Sequence, residues 1–211
     1  MAIVRVKICG ITNAADALAA IDAGANQLGF NFYVETPRHI TEQEAAKIRP
    51  QLPTKVKAVG IFVNATSAEV AATHKSLKLD AAQLHGDETP NDAAEIARSL
   101  PVIKAFRIDS DFPLGTLDEY PEAFAYLLDA ADTGQYGGTG RTTDWDVARR
   151  AALSHRIILA GGLKVENVAA AVRIVRPFGV DVASGVESRP GKKDHGRLRE
   201  FIQEVRRAER K

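Results

Sequence analysis

Short runs of apolar and β-branched residues recur eight times along the chain, at Val4–Cys9, Gln27–Phe32, Val56–Val63, Ala81–His85, Val102–Ile108, Ala125–Asp129, Ile157–Ala160 and Gly179–Ala183. Most intervals between them are alanine-rich or charged with helical spacing, as at Asn13–Ala23, Ser67–Lys75, Asp92–Ser99, Asp146–Leu153 and Asn167–Val175. Runs this short and apolar suit parallel strands, because crossover helices cover the outer sheet face. Eight repeats in 211 residues predict an α/β fold closed into a (β/α)8 TIM barrel, which leaves no strand with an unpaired edge. A doubly wound open sheet uses the same alternation, but no glycine fingerprint follows the first strand as its dinucleotide-binding form requires. The fifth connection is the irregular one: DSDFPLGTLDEYPEA holds two prolines and supports at best a short helix. With no linker or low-complexity stretch in view, residues 1–211 are read as a single barrel domain.

Three glycine-bearing turns punctuate the last strands: Gly137, Gly138, Thr139 and Gly140 after the sixth, Gly161 and Gly162 after the seventh, and Ser184 and Gly185 after the eighth. Each alone is ordinary loop geometry. Their order matches the place where barrels of this kind hold phosphate, at the carboxyl ends of strands seven and eight. Glycine permits close backbone approach, and exposed amides near a helix start donate to phosphate oxygens. GGTGR is not the GxxxxGK[ST] signature of a nucleotide loop, so the expected ligand is a phosphorylated metabolite.

Polar residues stand at strand ends where such a ligand would lie. Cys9 closes the first strand and Asp129 the sixth, so both can face the mouth from different sides. A free cysteine also serves as a small buried hydrophobe, whereas a carboxylate buried without a partner is costly. His85 closes the fourth strand in QLHG, and Arg38 follows the second in FYVETPRH. An arginine grips a carboxylate bidentately, and a histidine positions an oxygen or stabilises developing charge. A surface ion pair for Arg38 and a backbone contact for His85 are the plainer alternatives. Asp181, Lys7 and Lys104 fit a structural ion-pair network as well as catalysis.

Composition narrows the classes. A formal charge of +1 gives no basic field for nucleic acid, and no apolar stretch reaches membrane-spanning length. Cys9 is the only cysteine, so an internal disulfide is impossible, and no secretory signal is evident at the start MAIVRVKICG. A cytoplasmic protein without a bound cofactor or metal is expected, since His39, His74 and His85 form no HExxH motif. No association segment stands out, so a monomer is expected, with a dimer compatible.

The series VKICGIT, LGFNFYVETPR, VGIFVN, QLHGDE, LLDA, GGTGRTTDW, ILAGGL and GVDVASGVESRPGKKD, in this order, resembles the phosphoribosylanthranilate isomerases of tryptophan biosynthesis and covers nearly the whole chain. The resemblance implies an Amadori rearrangement of N-(5-phosphoribosyl)anthranilate. It implies Cys9 as general base, Asp129 as general acid, Arg38 on the anthranilate carboxylate, His85 and Asp181 lining the site, and the glycine turns around the phosphate. Positive charge near Cys9 is then expected to favour its thiolate. Two departures are visible: Thr143 stands where the family often has phenylalanine, with looser packing beside Trp145 as the expected effect, and LLDA replaces the more usual LLDS. A related phosphosugar isomerase or epimerase, or a barrel that binds a phosphometabolite without catalysis, would share the glycine clamp but not need Arg38 with the Cys9 and Asp129 pair.

Overall fold

The computed structural model describes residues 3–130 and 143–210. Within them the chain runs β1 (Arg5–Cys9), α1 (Ala14–Ala23), β2 (Gln27–Asn31), α2 (Glu42–Ile48), β3 (Lys57–Phe62), α3 (Ser67–Leu77), β4 (Ala81–Leu84), α4 (Pro90–Ala97) and β5 (Val102–Ile108). It continues with β6 (Ala125–Ala130), α5 (Trp145–Ala151), β7 (Ile157–Leu159), α6 (Val165–Val175), β8 (Gly179–Val182), a small hairpin of β9 (Glu187–Arg189) and β10 (Lys192–Lys193), and α7 (His195–Glu209). The first eight strands pair in parallel in chain order, and β8 returns to β1 from Arg5↔Gly179 to Ile8↔Val182. The sheet is therefore a closed barrel, with its strands at the eight apolar runs.

Local chemistry starts the helices where the sequence changes character. Thr41, Thr66 and Thr89 each cap a helix while a carboxylate three residues on, Glu44, Glu69 or Asp92, returns to the capping backbone. The fifth connection lacks an α-helix: Pro113 precedes a 3₁₀ turn, Leu114–Glu119, and buried Leu117 seals that side of the barrel. The helix α7 presents Leu198, Phe201, Ile202 and Val205 to the sheet as a buried stripe, each side chain contributing about 1.5–3 kcal/mol.

Strand alternation divides the core in two. Val59, Ile103, Ala105, Ala125, Leu127 and Ile158 pack inside the barrel, while Val6, Ile8, Leu128, Leu159, Val180 and Val182 face the helices. Residues two positions from an inward side chain also point inward. That parity sends Asp129 in after Leu127, and places Lys7, Cys9 and Asp181 opposite the outward positions of β1 and β8. Lys104 lies between the inward Ile103 and Ala105, so it points out of the barrel.

The hairpin joins the last unit to the first. Thr12 Oγ1 donates to Gly191 O at 2.7 Å. The fully buried Asp16 carboxylate accepts from Lys193 N at 2.9 Å and meets His195 Nε2 at 2.8 Å. Gly191 sits at φ +77°, a left-handed conformation glycine adopts without strain.

Candidate active site

Within β1 and β8, one inward step below Cys9, Lys7 Nζ and Asp181 Oδ1 meet at 2.9 Å, both buried. Burial pulls the Lys7 ammonium down, but Asp181 and the Cys9 thiol outweigh it and the net shift is upward. Asp181 thus points inward by strand alternation, with Lys7 as its partner. Lys104 does not join them: its ammonium meets Glu88 Oε2 and Gly86 O, each at 2.8 Å, outside the barrel wall.

Cys9 is a free thiol one inward step above Lys7. Positive charge does surround it, from Lys7 and Lys193, yet the expectation that this would favour thiolate is corrected. Burial pushes the Cys9 thiol above its ordinary value, and the two ammoniums only oppose that effect, with Asp181 working against them.

Arg38 reaches the same rim from the loop after β2. Its stem crosses Gly10, where an added Cβ would lie 2.8 Å from Arg38 Cδ; Gly10 also holds φ +73°. The guanidinium forks onto Glu187, with Nε to Oε1 at 2.9 Å and Nη2 to Oε2 at 2.8 Å. Lys193 Nζ shares Oε1 at 2.9 Å, and its side chain is fully buried. Arg38 and Lys193 together keep the Glu187 carboxyl below its usual range although burial opposes them, while burial draws the Lys193 ammonium down against the pull of Glu187. The sequence reading missed Glu187 and Lys193; the turn-forming Pro190–Gly191 pair is the only local signal of the hairpin that carries them.

Opposite this rim lies Asp129. Its Oδ1 accepts from Ala130 N at 2.8 Å, and its Oδ2 faces His85 Nε2 at 3.6 Å. The other ring nitrogen of His85, Nδ1, meets Gln83 Nε2 at 2.9 Å. If the Gln83 amide donates there, Nε2 carries the proton and directs it toward Asp129. Two polar atoms on this side, His85 Nε2 and Gln83 Oε1, are buried without a hydrogen-bond partner among the described residues. Gly161 backs the carboxylate: its φ is +77°, and an added Cβ would stand 2.5 Å from Ala130 N and 2.9 Å from Asp129 Oδ1. Thr143 closes this corner by donating from Oγ1 to Ala160 O at 2.6 Å, so its small side chain is buried and hydrogen-bonded beside Trp145.

The turns after β7 and β8 press together, for a Cβ on Gly185 would collide with Leu163 O. A cavity of about 220 Å³ opens between them, lined by Gly162, Leu163, Lys164, Ser184, Gly185 and Arg197. Lys164 and Arg197, which the sequence reading did not single out, bring positive charge to the glycine turns. Gly137, Gly138, Thr139 and Gly140 lie outside the described residues. A second cavity, about 370 Å³, borders the mouth beside β4 and β5 and shares His85 with the site.

Comparison with known proteins agrees with the barrel fold. A family model described as N-(5'phosphoribosyl)anthranilate (PRA) isomerase matches residues 6–204. N-(5'-phosphoribosyl)anthranilate isomerase of Pelobacter propionicus is 50% identical over 199 residues, covering 94% of each chain. The same enzyme of Trichlorobacter lovleyi is 50% identical over 206 residues, covering 97% of this chain and 99% of that one. The crystal structure of phosphoribosyl anthranilate isomerase from Thermotoga maritima superimposes with a TM-score of 0.90 at 41% identity, over 97% of this chain and 99% of the other. Barrel, mouth and full-length likeness converge: the chain belongs to the phosphoribosylanthranilate isomerase family, enzymes of tryptophan biosynthesis that carry out the Amadori rearrangement of phosphoribosylanthranilate.

Proposed function

We propose that Cys9 and Asp129 divide the proton transfers of this rearrangement, with Arg38 on the anthranilate carboxylate and the glycine turns on the phosphate. Asp129 donates a proton to the ribose ring oxygen as the C1′–O bond breaks and the nitrogen lone pair forms a protonated Schiff base. Cys9 then removes the C2′ proton, and the electrons of that C–H bond neutralise the iminium to give an enolamine. Tautomerisation, with a proton returning to C1′ and leaving the 2′-hydroxyl, yields the ketone.

The observation that carries this reading is the placement of the two groups. What supports it is that Cys9 closes β1 and Asp129 lies in β6, both inward by strand alternation, with β7, β8 and their glycine turns between them and Arg38 at the β1 side. Burial keeps the proton on Cys9 before substrate arrives, so the thiol must first release that proton to solvent before it takes the one on C2′. The iminium places positive charge next to C2′ at the step where the thiolate is required, which acidifies the C–H bond and favours the ionised base together. His85 and Asp181 serve as orienting groups: His85 beside Asp129, and Asp181 by holding Lys7 below Cys9. All these groups come from one chain, so a monomer of about 22.8 kDa suffices, and a reducing cytoplasm would keep Cys9 free.

The test is conversion of freshly generated phosphoribosylanthranilate, followed by loss of its fluorescence with identification of the product. Cys9→Ala and Asp129→Asn should each lower kcat by about 10²- to 10⁴-fold while the protein stays folded. Near wild-type turnover from either variant removes its assigned role. Activity of the wild type should climb with pH into the thiol range, because the folded thiol is raised; a flat alkaline limb would argue against Cys9 as the base.

A further inference from the structure

We infer that Glu187 is the positioning residue of the carboxylate clamp, holding the Arg38 guanidinium so that its outer edge faces the aromatic acid of the substrate. This rests on the role given to Arg38 above. Guanidinium has five N–H donors in a rigid plane. Glu187 takes the side-on pair, Nε and Nη2, in a bidentate contact at 2.9 and 2.8 Å. Nη1 makes no hydrogen bond with the described residues, so the Nη1–Nη2 edge is left to accept a second carboxylate in the same plane. The Glu187 side chain is only 4% exposed and that of Arg38 12%, so the pair is fixed within the wall and open at one edge.

Charge points the same way. Glu187 is shared by two cations, Arg38 and the buried Lys193, so the cluster carries one positive charge in excess. A surplus of that sign in a dry setting is balanced by an incoming carboxylate. Geometry supplies the aim as well: the Arg38 stem is pinned across Gly10, the hairpin holding Glu187 is tied to Thr12 through Gly191 O, and its Lys193 amide is bound by Asp16. An unheld arginine would lose rotamer freedom on each binding event, whereas this one has lost it already.

The experiment compares two ligands by calorimetry: the reduced product analogue, with its ring carboxylate, and the same compound lacking that carboxylate. Glu187→Gln should weaken the carboxylated ligand about 10- to 100-fold, leave the other nearly unchanged, and raise KM more than it lowers kcat. Glu187→Gln combined with Lys193→Met keeps one net positive charge in the cluster, so it reads the same selectivity even if the single variant folds poorly. Equal weakening of both ligands, or no weakening of either, overturns the assignment. Arg38→Lys separates this inference from the reading beneath it. If that variant keeps full preference for the carboxylate, the clamp itself is wrong; if it loses the preference and neither Glu187 variant does, Glu187 alone is rejected.

Discussion

Around β1 and β8 the buried charges meet opposite charges: Lys7 with Asp181, Arg38 and Lys193 with Glu187, and Asp16 with Lys192. Across the mouth, at β4 and β6, His85 Nε2 and Gln83 Oε1 have no hydrogen-bond partner among the described residues, and Asp129 Oδ2 is 3.6 Å from the imidazole. Among the described residues, one side is complete and the other is not. A completed network rigidifies the wall that aims the substrate, while unsatisfied polar atoms are costly in the free protein and become useful only when a ligand supplies the missing contact. On the proposed reading, the Arg38 clamp and proton donation by Asp129 therefore draw on different sides of the same ring of strands.

The strongest way to break this contrast is to open a completed pair. Lys7→Met should cost about 3–5 kcal/mol in urea unfolding, because it leaves Asp181 buried without a counter-charge, and Lys7→Met with Asp181→Leu should recover most of that loss. A single-variant cost under about 1 kcal/mol would place Lys7 outside the structural framework. Next in size, Asp16→Asn should cost about 1.5–3 kcal/mol by weakening the anchor of the hairpin. Burial raises the Asp16 carboxyl, but the Lys193 amide, His195 and Asn13 together bring it below its ordinary value. A depressed folded value means the contribution is complete above the ordinary carboxylate range and lost as pH falls through the folded value. The gap between wild type and variant should accordingly close in acid; a gap that is constant down through the carboxylate range would reject the ionised anchor. The smallest stability effect belongs to the other side. His85→Gln should change unfolding free energy by less than about 1 kcal/mol while lowering kcat/KM about tenfold or more. Destabilisation equal to that of Lys7→Met would erase the distinction between the two sides.

The barrel was legible in the sequence because its signal is local. Each strand is a mostly apolar stretch of three to seven residues with inward alternation, and the fifth connection announced its irregularity through Pro113 and Pro121. Cys9 and Asp129 could be picked out for the same reason, since each ends such a run. Arg38 was visible as a residue type and not as half of a pair, for its partner lies 149 positions away. The same separation hid Glu187, Lys193 and Asp16, whose roles exist only once the last unit folds back on the first. Glu88 escaped notice for a different reason: it sits in a loop, and its pairing with Lys104 depends on that lysine pointing out of the barrel. The balance at Cys9 was beyond reach as well, because neighbouring charge is suggested by sequence while burial of the thiol is a property of the closed wall.

The latch between the last and first units also sets an order of events during synthesis. Lys7 is translated 174 residues before Asp181, and Asp16 179 residues before His195. At ordinary elongation rates that is a wait of roughly 10–35 s in which β1 has emerged without its closing strand. Through that interval Cys9 has no framed pocket and one side of its strand is open. The wall that frames Cys9 thus closes late in the life of the nascent chain, when its final unit comes home to its first.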